Sequence, residues 1–140
     1  MKIIILGCGK IGRKLALILS QEENEITIID RNSDSFRKLA KSFKGTTVLG
    51  SGVNREVLKR AGINRADYFI AVTEKDNTNI MTAEIAKDVF KVANILALVK
   101  DPVRAGAYQE LDLNTLCPTE IIVKMIAASI TEKKKGGLGD

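Results

Sequence analysis

The chain has 140 residues, 45% apolar and 28% charged, a balance that fits one globular domain with a proper core and is too short for two. Its formal charge of +5 lies partly in Lys133-Lys134-Lys135, and its aromatics are only 4% and scattered, so a basic face interleaved with aromatics for nucleic acid is excluded in favour of a solvated surface. Histidine is absent and Cys8 and Cys117 are the only cysteines, which excludes histidine bases, histidine metal ligands and a disulfide framework.

No apolar run approaches the ~20 residues of a membrane span. Lys2-Ile3 enters the first predicted strand directly, so an intracellular chain is expected. Lys2 to Leu6 is an unbroken apolar run after its first residue, read as a strand buried on both faces. Gly7-Cys8-Gly9-Lys10-Ile11-Gly12 follows, and Leu15, Ile18 and Leu19 then fall at helical spacing. Strand, Gly-x-Gly-x-x-Gly turn and helix in that order make a phosphate-binding corner. Gly7 serves the tight turn, Gly9 the approach of backbone to a pyrophosphate, and Gly12 the packing of helix on strand. The helix N–H groups and positive dipole end face the phosphates. Cys8 holds a variable position of this loop and is expected as a small buried residue, although a helix N-terminus there could also lower a thiol pKa.

Ile26 to Ile29 is the second strand and ends in Asp30, eighteen residues beyond Gly12, where an acidic side chain accepts hydrogen bonds from an adenosine ribose. A plain strand-end or capping carboxylate is the alternative. Arg31 could serve a 2′-phosphate or stack on adenine, but Asp30 repels a 2′-phosphate, so an unphosphorylated ribose is expected. Ser33 to Phe43 is predicted as a helix with Phe36, Leu39, Ala40 and Phe43 inward, closed at Lys44-Gly45. Thr46 to Leu49 is a third strand, Gly50 to Val53 a loop, and Asn54 caps a brief helix through Arg60 that Gly62 closes.

Tyr68 to Val72 is the fourth strand, and Thr73 to Asn77 a polar loop. A long helix is predicted next, with Ile80, Met81, Ala83, Ile85, Ala86 and Val89 inward. Ile95 to Val99 is the fifth strand, stopped by Lys100-Asp101-Pro102, and a helix from Arg104 to Leu111 leads to a sixth strand at Thr115 to Cys117. Strict alternation gives an α/β fold: a Rossmann-like six-stranded parallel sheet in the order 3-2-1-4-5-6, with helices on both faces. Its strand ends collect Gly7 to Gly12, Asp30, Gly50 to Val53 and Thr73 to Asn79 along one edge, where ligands bind in open sheets. Pro118, Thr119 and Glu120 favour the start of a last helix, apolar nearly all round from Ile121 to Ile130. Such a helix is expected to pack on a second copy of the chain. The boundaries that follow are a nucleotide-binding domain at 1–117, a dimerisation helix at 118–135, and a flexible tail at 136–140.

Together these motifs resemble the RCK, or KTN, family of regulatory domains of potassium transport and channel systems. The resemblance rests on the opening through Gly12, on Ile28-Ile29-Asp30, and on Glu56 to Ile63. It rests above all on Ala66-Asp67-Tyr68-Phe69-Ile70-Ala71-Val72-Thr73 with Asp76 and Asn79, and on Cys117-Pro118-Thr119-Glu120. It implies a cytoplasmic domain, peripheral at the inner face of the membrane, that dimerises through residues 118–131 and forms a ring beneath a membrane-embedded potassium transporter or channel subunit. Binding of NAD(H) or of ATP, ADP or AMP then alters ion flow. It implies phosphates on Gly7, Cys8, Gly9, Lys10, Ile11 and Gly12, a ribose on Asp30 beside Arg31, and adenine along Ser51, Gly52 and Val53. Thr73, Glu74 and Asn79 then face the distal half of the ligand, and Lys100 stands where relatives often carry a phosphate-facing arginine. The family's Gly-Asp-Ala/Gly motif is Gly50-Ser51-Gly52 here, its arginine is Lys100, and its usual C-terminal domain is not among these 140 residues. Glu120 resembles a family cation ligand, with a helix-start carboxylate as the simpler role; no metal site is assigned. Two other functions compete: an NAD-dependent oxidoreductase with a minimal substrate site, and a redox-sensing DNA-binding protein, which needs a helix-turn-helix module.

Overall fold

Isoleucine and leucine fill Ile3 to Leu6, and none of the four is more than 3% exposed. Alternate side chains of a strand point to opposite faces, so this one run serves both layers of the core. Ile4 and Leu6 pack with Ile29, Phe69, Val57 and Leu58 on one face, while Ile3 and Ile5 pack with Ile26, Ile28, Ala16 and Ile70 on the other.

The computed structural model describes residues 1–138. Its elements are β1 (Lys2–Leu6), α1 (Lys10–Ser20), β2 (Glu25–Asp30), α2 (Ser33–Phe36), β3 (Thr46–Leu49), α3 (Arg55–Arg60), β4 (Tyr68–Ala71), α4 (Asp76–Asp88), β5 (Asn94–Leu98), α5 (Pro102–Glu110), β6 (Thr115–Leu116) and α6 (Pro118–Leu138), with a 3-10 turn at Ile63–Arg65. The strands form a six-stranded sheet in the order β3-β2-β1-β4-β5-β6, every pairing parallel. The expected sheet order is the observed one. The α1–α2 layer covers one face, and α3, α4 and α5 the other.

Three predicted features differ. The helix expected from Ser33 to Phe43 stops after Phe36, and the chain continues in turns closed by bonds such as Leu39 N to Phe36 O at 3.1 Å and Phe43 N to Ala40 O at 3.0 Å. Phe36, Leu39 and Phe43 still reach the core, so the apolar spacing reported burial correctly without requiring a continuous helix. The second difference is the rotation of α4. Met81 and Val89 face solvent, at 52% and 42% exposed, while Asn79 and Thr82 are fully buried beside Ile80, Ala83 and Ala86. Two polar side chains can occupy the inner face because each bonds backbone there, Thr82 through its hydroxyl to Thr78 O at 2.7 Å. Third, Pro102 does not merely stop β5. It opens α5, capped by the Asp101 carboxylate, which accepts from Val103 N at 3.0 Å.

From Thr119 to Lys135 every residue of α6 is exposed, among them Ile122 at 55%, Met125 at 66%, Ile126 at 56% and Ile130 at 63%. The helix runs past the boundary expected at 135 and includes Gly136 to Leu138. The rest of that expected tail, residues 139 and 140, lies outside the described residues.

Candidate functional site

The strand C-terminal ends and the loops that leave them make one edge of the sheet. After β1 the chain turns at Gly7, whose φ of +111° suits glycine. A Cβ there would also lie 2.9 Å from Thr73 N and from the carbonyl of Val72. At Gly12 a Cβ would fall 1.8 Å from Gly7 O, so α1 closes on its own loop only because that atom is missing. Gly9 is different: a Cβ there would meet only Glu74 Oε1, at 3.9 Å, and the loop's outer side is open. No side chain caps α1, so its first-turn N–H groups are free for a ligand.

Asp30 closes β2 beside this loop. Its Oδ2 accepts from Cys8 N and its Oδ1 from Asn32 N, both at 2.8 Å, so two backbone amides orient the carboxylate while lone pairs remain for a ligand. The Cys8 thiol points the other way and donates to Ser35 O at 3.4 Å. Burial, then the Asp30 charge, push that thiol up to about 11, against a smaller opposing pull from Arg13. It is a buried neutral thiol, as expected of a small residue in the loop.

Across the loop, the segment from β4 to α4 is set by Asn79. This side chain is fully buried. Its Oδ1 accepts from Thr73 N at 2.9 Å and from the Thr73 hydroxyl at 2.6 Å, while Nδ2 donates to Thr73 O at 3.0 Å and Leu98 O at 2.9 Å. The Asp76 carboxylate accepts from Lys100 N at 2.9 Å and Asp101 N at 3.1 Å, joining this loop to the one after β5. Glu74 and Lys100 complete the rim with an ion pair of 2.7 Å. The hydrogen bond from Lys100, then its charge, hold the Glu74 carboxyl below the usual carboxylate range, with Lys10 adding a little.

These groups enclose a cleft of about 170 Å³ lined by Leu6, Gly7, Ile29, Asp30, Arg31, Gly52, Thr73, Glu74, Lys75 and Thr78. A larger hollow of about 460 Å³, lined by Tyr68, Lys87, Asn94 and Asp112 among others, lies at the strand starts and has no glycine loop. The smaller cleft carries the chemistry: backbone donors for phosphate, a positioned acceptor for hydroxyls, and apolar walls from Leu6 and Ile29. Among the described residues no group of three or more Asp, Glu or Cys side chains is placed to hold a metal ion.

The family model of the TrkA-N domain matches residues 3–118. The chain belongs to the TrkA-N domain family. Over 116 residues it is 43% identical to the Trk system potassium uptake protein TrkA of Streptomyces coelicolor, covering 83% of this chain and 52% of that one. It therefore spans about half the length of that relative. Solved structures share its fold, among them two with a bound nucleotide. One is the Kef CTD of Shewanella denitrificans in its AMP-bound form, with a TM-score of 0.76 and 19% identity over 94% of this chain and 80% of that one. The other is the GsuK channel bound to NAD, with a TM-score of 0.68 and 23% identity over 84% of this chain and 21% of that one.

Within this TrkA-N domain the structure gathers Gly7, Asp30, Arg31, Gly52, Thr73 and Glu74 on one cleft. Gly9 and Lys100 adjoin it through Glu74, while Lys10 and Ile11 follow Gly9 at the start of α1, outside the lining and exposed, Ile11 at 50%. Ser51 and Val53 flank Gly52 without lining the cleft itself, and the Ser51 hydroxyl accepts from Val53 N at 3.4 Å. Gly12 and the Cys8 side chain are buried, so their part is in shaping the loop. Asn79 does not face the cleft: its amide is fully used on Thr73 and Leu98, and it acts by positioning Thr73. Lys75 and Thr78 also line the cleft; they belong to the Thr73 to Asn79 stretch expected along this edge, though neither was singled out as a ligand contact. Thr78 lies in the first turn of α4, a position that marks it only once the rotation of that helix is known.

Proposed function

We propose that this chain is the nucleotide-sensing domain of a potassium uptake system or channel, in which an adenine nucleotide, NAD(H) or ATP, ADP or AMP, binds across the strand edge and alters ion transport by changing how two copies meet. The observation that carries it is the juxtaposition of Asp30, held by Cys8 N and Asn32 N, with an open glycine loop on an uncapped helix. The AMP and NAD in the two solved relatives support the ligand class, and the Streptomyces relative supports the potassium context. Phosphates lie on the loop from Gly7 to Gly12, the ribose on Asp30 with Arg31 beside it, and the base along Ser51, Gly52 and Val53. Thr73, Glu74 and Lys100 meet the distal part.

No bond is made or broken in this reading. Ligand favours one arrangement of the dimer only by binding it better than another. A route to the dimer helix exists on one strand end: Lys100 holds Glu74 across the cleft, and its carbonyl accepts from the Cys117 thiol at 3.5 Å, immediately before α6. The apolar exterior of α6 is the surface a second copy covers, and burying each large aliphatic there contributes about 1.5–3 kcal/mol. A higher ring, and a place at the inner face of the membrane through a pore subunit, extend the same reading.

Native mass spectrometry of the purified protein tests this directly. A dimer or higher even assembly carrying an adenine nucleotide is the expected result. A monomer at high concentration, or a protein indifferent to every adenosine compound in calorimetry, overturns it.

A further inference from the structure

We propose that Glu74 is the specificity residue of this cleft: its carboxylate accepts hydrogen bonds from the second ribose of a dinucleotide and repels the terminal phosphates of a nucleoside triphosphate. The inference rests on the reading above that an adenine nucleotide occupies the cleft. In the sheet, β2 and β4 flank β1 on either side, so the ends that carry Asp30 and Glu74 are two strand spacings, roughly 10 Å, apart. The glycine loop lies between them. The edge thus reads acceptor, phosphate cradle, acceptor, which complements ribose, pyrophosphate, ribose.

Geometry and charge sharpen the choice. Glu74 Oε1 stands 3.9 Å from the point where a Cβ on Gly9 would lie, over the open side of the loop. A phosphate chain that extends beyond its second phosphate runs toward this carboxylate. An ionised carboxylate has no donor for a phosphate oxygen, whereas the vicinal hydroxyls of a ribose offer it two. Of the cations near that end, with Lys75 lining the cleft and Lys10 acting on Glu74 by its charge, Lys100 is the one held by Glu74, at 2.7 Å, and must leave it to reach a third phosphate. A dinucleotide leaves that pair intact, and AMP, with no second or third phosphate, is insensitive to it.

The test is calorimetry on the full chain in magnesium-free buffer with NADH, ATP and AMP, comparing wild type, Glu74→Gln, and Glu74→Gln combined with Lys100→Met. Glu74 is exposed on a loop, with 85% of its side chain accessible, so the fold tolerates the change, and AMP affinity verifies the site. Wild type is expected to bind NADH about tenfold more tightly than ATP. Glu74→Gln, which keeps the shape and removes the charge, tightens ATP about fivefold, weakens NADH a few-fold, and leaves AMP within about twofold. The double variant loses the gain for ATP, because Lys100 provides it. Wild type binding ATP as tightly as NADH overturns the proposal, as does an equal shift of all three ligands in Glu74→Gln. In either case AMP binding leaves the nucleotide reading standing, while failure of all three ligands removes both.

Discussion

Asn79→Ala separates a positioning residue from a ligand contact. The substitution leaves Thr73 N, Thr73 O and Leu98 O without their side-chain partner. Leu98 O is buried beneath α4, and an unmet buried acceptor costs about 1–3 kcal/mol. Thr73 is partly exposed, so water reaches its groups and the cost there is nearer 1 kcal/mol in all. With the small void added, the expected loss is about 3 kcal/mol, a fall in Tm on the order of 10 °C for a domain of this size. Differential scanning calorimetry of the ligand-free protein measures it. Asn79→Asp should fare worse at neutral pH, because a carboxylate then faces two carbonyl oxygens, those of Thr73 and Leu98. A residue that only touched ligand would leave the ligand-free Tm unmoved and weaken binding alone. An Asn79→Ala protein melting within about 2 °C of wild type refutes the positioning role.

Gly12→Ala forces a Cβ to within 1.8 Å of Gly7 O, and since both neighbours are backbone, the loop or α1 has to move; urea unfolding should show a loss of at least about 3 kcal/mol, and an unchanged midpoint would contradict the geometry. Asp30→Ala should weaken every adenine nucleotide by one to two orders of magnitude in calorimetry, roughly the loss of a charged hydrogen-bond acceptor. With the Cys8 pKa raised from 9.0 to about 11, the neutral thiol's contribution to stability is whole below about pH 9 and fades as pH rises toward 11. Cys8→Ala should flatten that alkaline fall in chemical denaturation, and an identical slope in both proteins counts against the burial argument. Ile126→Asp tests the proposed packing of α6 on a second copy: with about 1.5–3 kcal/mol lost per chain and two chains per interface, the dimer Kd should rise by at least about a hundredfold in sedimentation equilibrium. An unaltered Kd places the interface elsewhere.

The strands, their order and the layer structure were legible because buried parallel strands are written as near-continuous apolar runs, and Ile3 to Leu6, Ile26 to Ile29 (broken only by Thr27) and Phe69 to Val72 are such runs. The glycine loop and Asp30 were legible for a related reason: a turn that admits no Cβ and an acceptor at the next strand's end leave residue types that few other needs would select. Pattern alone misplaced the inner face of α4, since helical spacing put Met81 and Val89 inside and left Asn79 for a ligand. Tertiary structure decided otherwise, because Asn79 has four backbone and hydroxyl partners within reach once β4 and β5 lie side by side. The same holds for Ser33 to Phe43, where three aromatic or aliphatic anchors meet the sheet through turns as well as through a helix. The pairing of Glu74 with Lys100 joins residues 26 positions apart in the chain, and only the adjacency of β4 and β5 brings them together. Local chemistry determined the elements and the loop; which polar side chains face inward, and which charges face each other across the cleft, depended on packing at a distance.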